Sequence, residues 1–66
     1  MQLVVNGETM NRPEGESLAL LLLALRADGG RVAVLVNDEV VPSAQRTGRT
    51  LHEGDRVELL TFAGGG

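Results

Sequence analysis

Only one stretch of this chain carries a helical period, and it is short. In SLALLLLALRADGG, Ser17 to Gly30, the leucines Leu18, Leu21, Leu22 and Leu25 fall on one face of an α-helix. Leu20 and Leu23 fall off that stripe. Ser17 is placed to cap the first turn, with Glu14 and Glu16 near the positive end of the helix dipole. Asp28-Gly29-Gly30 predicts the stop, because glycine suits a left-handed cap, so the helix is expected over Leu18 to Ala27. A single helix of this kind covers one face of one sheet. The rest of the chain must be strand or connection.

Strand signals fill that remainder. Gln2 to Val5 puts Leu3 and Val5 on one face, and Asn6-Gly7 then supplies a strong type I′ hairpin signal. Glu8 to Asn11 is the returning strand, and Pro13 and Gly15 end the pattern. After the helix, RVAVLVNDEVV carries β-branched Val32, Val34 and Val36, a turn at Asn37-Asp38 and a short strand at Val40-Val41, which Pro42 confines to a sheet edge. Ser43 to Arg49 reads as loop, HEGD as a turn, and Arg56 to Phe62 as the last strand. The order is β-β-α-β-β-β. Two hairpins around one helix predict an α+β fold of two layers, a mixed sheet of four to five strands with the helix on one face. The other face has no internal cover, and a partner could dock there.

Composition limits the function classes. A chain of 66 residues makes one domain and buries only about 60% of the surface its unfolded form exposes. It has no cysteine and one histidine, so packing alone must hold it, and a reducing compartment suits it. The net charge is −3, and all six basic residues are scattered arginines among acids. With neither a basic stripe nor stacking aromatics (Phe62 is alone), nucleic-acid binding is not expected. There is no lysine, so no side chain can accept an isopeptide bond. The longest apolar run, Leu18 to Leu25, is far short of the roughly 20 residues of a membrane span. Glu8, Glu14 and Glu16 precede it where a signal peptide would carry positive charge. A soluble, cytoplasmic protein is expected.

Few residues suggest catalysis. His52 lies in a turn beside Glu53 and Asp55, where solvation explains it better than general-base chemistry, which needs a pocket and a positioned partner. Ser17 and Ser43 are accounted for by a cap and a loop. Asp38-Glu39 and Glu53/Asp55 lack the spacing of a calcium loop. Gly29-Gly30 follows a helix, with no lysine after it, which is the wrong order for a phosphate loop. Neither a metal nor an enzymatic activity is expected.

The last strand and the residues after it are more informative. Strict alternation sends Val57 and Leu59 toward the helix and Leu60 and Phe62 to the open face, where Leu35 joins them from the third strand. Leu35, Leu60 and Phe62 are therefore candidate docking residues. Beyond them comes AGGG. Four extended residues reach roughly 13 Å, and Gly64, Gly65 and Gly66 could thread a channel that any side chain would block. A carboxylate on Gly66, with an ordinary pKa of about 3.3–3.7, is ionised at neutral pH and is a poor electrophile. Acyl chemistry there would need activation first, for example by transfer to a phosphate of ATP on another protein.

MQLVVNGE, RVAVLVNDEVVP and LHEGDRVELLTFAGGG together resemble the ThiS family, bacterial sulfur carriers of thiamine thiazole biosynthesis. The resemblance covers nearly the whole chain. It implies a β-grasp, ubiquitin-like domain over residues 1–62 and a flexible glycine tail over 63–66. It also implies that a ThiF-like adenylating enzyme, using ATP and Mg²⁺ bound on that enzyme, activates the Gly66 carboxylate. The thiocarboxylate formed next would serve thiazole synthase. The carrier itself would be a cosubstrate, monomeric when free, with no bound cofactor. The chain departs from the family at Asn37-Asp38, where Asn-Gly is frequent, and at Leu35, where an acid is common. SAQRTGRT matches poorly. Related carriers serve molybdopterin synthase and other sulfur pathways on the same fold, and fold alone does not separate them. The short length and the FAGGG ending favour thiamine. A reading from a different class is a β-grasp interaction module whose tail is inert.

Overall fold

The computed structural model describes residues 1–29 and 31–61. Its strands are β1 (Gln2–Val5), β2 (Glu8–Asn11), β3 (Val32–Val36), β4 (Glu39–Val40) and β5 (Arg56–Thr61), with one helix, α1 (Leu18–Ala24). They form a five-stranded sheet in the order β2-β1-β5-β3-β4. β1 and β5 are parallel, and the other neighbours are antiparallel. Both hairpin turns have two residues at positive φ, Asn6 (48°) with Gly7 (83°) and Asn37 (51°) with Asp38 (69°), as type I′ geometry requires.

Alternation along the strands builds the core. Leu3 and Val5 of β1, Val34 and Val36 of β3 and Val57 of β5 meet Leu18, Leu21 and Leu22 of α1, and Val41 and Leu51 close the ends. Each such side chain contributes roughly 1.5–3 kcal/mol by leaving water. Leu25 and Leu59 are half-buried against this cluster.

α1 has seven residues, below the roughly 12–15 at which a helix holds without tertiary support. Its ends are therefore tied down by other parts of the chain. At the start, Leu18 N–H donates to the Arg49 carbonyl (2.8 Å), Ala19 to Arg46 (3.1 Å) and Leu20 to the Ser17 hydroxyl (3.2 Å). Leu51 N–H returns to the Glu16 carbonyl at 2.9 Å. The featureless run from Ser43 thus serves as the helix's N-terminal partner. Its first residues, Ser43–Gln45, form a 3₁₀ turn where the sequence predicts only loop.

Two boundaries differ from expectation. The helix stops after Ala24 instead of reaching Ala27. Arg26, at φ 58°, takes the left-handed position assigned to the glycines. Ala27 N–H donates to the Leu22 carbonyl (2.8 Å) and Arg26 N–H to Leu23 (3.1 Å), the paired bonds of a Schellman cap. The early turn seats Ala27 against the core, and that packing outweighs the steric cost at Arg26. Gly30 lies outside the described residues. The short strand is Glu39–Val40 rather than Val40-Val41, because the two-residue turn sets Glu39 opposite Val36. Val41 turns inward, and its N–H donates to the Val34 carbonyl at 2.9 Å.

One charged pair lies inside this frame. Glu16 is only 8% exposed and takes two hydrogen bonds from Arg12, at 2.7 and 2.6 Å, across the link from β2 to α1. Hydrogen bonding from Arg12 holds the Glu16 carboxyl below its ordinary value, against the opposing effect of burial and with help from the Arg12 charge. In this range the unfolded chain binds the proton more readily than the folded one, so stability rises with pH. The stabilisation is complete above the unfolded value of about 4.3 and is lost as pH falls through the lower folded value.

Chemical denaturation between pH 3 and pH 7 should therefore show a steep acid limb in the wild type and a shallower one in Glu16→Gln; identical limbs would remove Glu16 as its source. Arg26→Gly should relieve the left-handed penalty, about 1 kcal/mol, less glycine's extra entropy in the unfolded chain. The expected gain is roughly 0.5 kcal/mol or more and a thermal midpoint raised by a few degrees. A lower midpoint would contradict the cap assignment.

Candidate functional site

The face of the sheet opposite α1 is set by register. Val4 and Thr9 lie across from each other on β1 and β2, and Val4 lies beside Arg56 of β5. Farther along β5, Glu58 is opposite Leu35 and Leu60 is opposite Ala33, while Val40 of β4 flanks Leu35 from the other side. Leu60 is 51% exposed, Val40 64%, and Leu35 is half-buried. The sequence places Leu35 and Leu60 on one open face, and the structure brings them together through the β3–β5 ladder. Phe62, Gly64, Gly65 and Gly66 lie outside the described residues.

Val40 is the residue that sequence reasoning missed. The sequence reading sets a short strand at Val40-Val41 and assigns neither valine to a face; Val41 turns inward and Val40 outward. The signal was present in the two-residue turn, since Asn37-Asp38 fixes Val40 against Leu35. Ala33 joins the same patch, giving Ala33, Leu35, Val40 and Leu60 as neighbours on three adjoining strands.

Two asparagines hold β5, the strand that leads out of this face. Asn6 N–H donates to the Val57 carbonyl (2.9 Å), and the Asn6 side-chain oxygen accepts from Leu59 N–H (2.8 Å). It thereby adds a rung to the ladder beyond the end of β1. On the other side of β5, Asn37 Oδ1 accepts from Arg56 N–H and Asn37 Nδ2 donates to Asp55, each at 2.9 Å. At the far end of the strand, Thr61 lies opposite Val32, whose carbonyl accepts from Arg46 Nη2 at 2.6 Å. The strand is thus fixed up to its last described residue.

The polar half of the face is a shallow groove of about 330 Å³ lined by Val4, Asn6, Gly7, Arg56, Val57 and Glu58. The Arg56 guanidinium donates to Asp38 Oδ2 at 2.8 Å across to the β3–β4 turn. That hydrogen bond, then the Asp38 charge, raises the Arg56 pKa; burial opposes them, and the Glu58 charge adds a smaller upward effect. His52 is 77% exposed, and its Nδ1 stands 3.9 Å from Asp55. Asp55 instead serves the turn, accepting from His52 N–H at 2.8 Å. Glu53 likewise binds the backbone, accepting from Gln2 N–H at 2.9 Å. Among the described residues no three His, Asp or Glu side chains cluster to hold a metal, and no helix is long and apolar enough to cross a membrane.

Comparison with known proteins places this geometry. The ThiS family model matches residues 3–66. The crystal structure of the thiamine biosynthesis protein ThiS from Geobacter metallireducens superposes with a TM-score of 0.86, at 38% identity over the whole of both chains. A solution structure of a thiamine biosynthesis protein from that organism gives 0.78 at 37% identity, over the whole of this chain and 88% of the other. The fold is the β-grasp, ubiquitin-like arrangement. A thiazole synthase of Paramagnetospirillum magneticum is 38% identical over all 66 residues, which span 20% of that protein's length. A Porphyra purpurea protein, ycf40, is 34% identical over 94% of this chain and 87% of its own.

Asn6→Ala should leave Leu59 N–H without its partner and put alanine at a positive φ, costing about 1–3 kcal/mol. Amide exchange measured residue by residue should show protection lost first at Leu59. Unchanged protection there would mean that the side-chain rung adds nothing.

Proposed function

The chain belongs to the ThiS family, and from that premise we propose that it is a sulfur carrier of thiamine biosynthesis whose working group is the carboxylate of Gly66. The observation that carries the reading is that the family match runs through residue 66, so it takes in the glycine run as well as the folded domain. The chemistry follows from the weakness of a carboxylate as an electrophile. An oxygen of Gly66 attacks the α-phosphorus of ATP held with Mg²⁺ on a ThiF-like adenylating enzyme, and pyrophosphate leaves. The resulting acyl-adenylate has a good leaving group. Hydrosulfide attacks the carbonyl carbon, the C–O bond to the phosphate breaks with loss of AMP, and release of the proton leaves a terminal thiocarboxylate, which thiazole synthase consumes.

The division of labour within the chain suits this role. Gly64 and Gly65 have no side chains to obstruct a narrow approach to either partner's active site. β5 supplies a fixed base, because both its edges are paired and Asn6 and Asn37 secure its backbone. The apolar patch of Ala33, Leu35, Val40 and Leu60 adjoins that base and is the surface on which a partner can bind the body while the tail is engaged. A stretch resembling this chain within a thiazole synthase supports the synthase as one of those partners. In this role the protein is a cosubstrate, and the catalytic groups belong to the enzymes it visits.

The test is intact-protein mass spectrometry after incubation with the adenylating enzyme, ATP, Mg²⁺ and a sulfide source. The expected result is a mass gain of one oxygen replaced by sulfur. A chain lacking Gly66, and one extended by a single alanine beyond it, should both stay unmodified while keeping the wild-type circular dichroism spectrum. Modification of the extended chain without trimming would overturn the assignment of Gly66.

A further inference from the structure

The Glu58 side chain makes no hydrogen bond and no close ion pair with the described residues, although it stands in the middle of the surface through which the body of the protein can be held. Alternation along β5 turns it outward between Arg56 and Leu60, and register sets it against Leu35. It is half-buried there. The adjacent cation is Arg56, two residues earlier on the same face, and its guanidinium is taken by Asp38 on the neighbouring turn at 2.8 Å. The Glu58 carboxylate feels the charge of Arg56 only at longer range, with no hydrogen bond between them.

In the free protein, water reaching the exposed side of the carboxylate solvates it. A partner that covers Leu35, Leu60 and Val40 removes that water. An ionised carboxylate closed off without a counter-charge costs more than apolar contact at its flanks returns. The apolar patch alone therefore cannot define the partner.

We propose that Glu58 is a specificity residue for docking, and that the adenylating enzyme meets it with an arginine or lysine set within an apolar surface. The proposal rests on the function argued above. The occupant is the adenylating enzyme because the Gly66 carboxylate must be presented there before any sulfur can be carried. The same carboxylate turns away partners that are wholly apolar or acidic at this position, which separates right from wrong partners more sharply than greasy contact does.

The experiment titrates the full-length chain against its adenylating enzyme by calorimetry at low and high salt. ATP–pyrophosphate exchange is followed in parallel. Glu58→Gln should weaken binding by about tenfold or more at low salt, flatten the salt dependence, and raise the carrier's KM in exchange while leaving kcat unchanged. Glu58→Arg should weaken binding further. A matching charge reversal on the enzyme should restore it. Equal affinities and salt slopes for wild type and Glu58→Gln would overturn the inference. So would a loss of binding confined to thiazole synthase. A chain lacking Gly65 and Gly66 separates this outcome from failure of the proposed chemistry, because it should bind normally and support no exchange. Wild-type binding that depends on Glu58 but gives no exchange would refute the chemistry and leave the docking role in place.

Discussion

The parallel pairing of β1 with β5 joins the two ends of the chain, and the rest of the molecule is arranged around it. Its ladder register is short, Val4 with Arg56 and Val5 with Val57. Backbone and side-chain bonds outside the ladder lengthen it. Val4 N–H reaches the Asp55 carbonyl at 3.0 Å, and Gly54 N–H reaches Gln2 at 2.8 Å. Asn6 carries the contact on to Leu59. Parallel neighbours cannot be joined by a hairpin, so a long connection must lie between them. Here that connection holds α1 and the β3–β4 hairpin. It returns to place β3 on the free edge of β5, so that Val34, Val36 and Val57 form one floor for the helix leucines.

Much of this was legible because the strongest signals were local. Asn6-Gly7 and Asn37-Asp38 named their turns, and alternation in VAVLV and RVELL sorted inner from outer residues. The single leucine stripe then fixed the number of layers. What was hidden depends on contacts between distant segments. Arg26 holds the left-handed cap because Ala27 must reach the core, and no local preference for arginine would suggest it. SAQRTGRT has no period to read, since its task is to offer the Arg46 and Arg49 carbonyls to a helix far away in sequence. The short strand's bounds differ by one residue from the reading of Val40-Val41, and the face of Val40 follows only from its register against Leu35. The glycine run was read from covalent chemistry instead of from any fold.

A small domain with one helix must leave one sheet face bare, and here that face is partly apolar and partly charged. Leu60 and Val40 expose apolar surface there, which in the proposed role a partner would cover and which a free protein must keep from self-association. Charges divide the surface. The Arg56–Asp38 pair spans from β5 to the turn at one end, and Glu58 interrupts the apolar run beside Leu35. The helix's outer face also exposes apolar side chains, since Leu20 and Leu23 are more than half exposed there.

The relation between body and tail follows from how little the last residues can do for themselves. Glycines at the end of a chain contribute no packing, so any use they have must come from covalent position and reach. Reach is productive only if its origin is fixed, since a thread from a frayed strand would sample a wide volume and seldom arrive. Pairing of Thr61 with Val32, which Arg46 in turn holds, fixes that origin beside the open face. In the proposed role, binding of the body would place the start of the thread at a set distance from the partner's active site, and contacts made elsewhere would offset the entropy lost in threading. The apolar patch, the clamped strand and the bare glycines each leave out what the others supply. Loosening the Asn6 or Asn37 clamp would therefore impair delivery of the tail even with the docking surface and the terminal carboxylate unchanged.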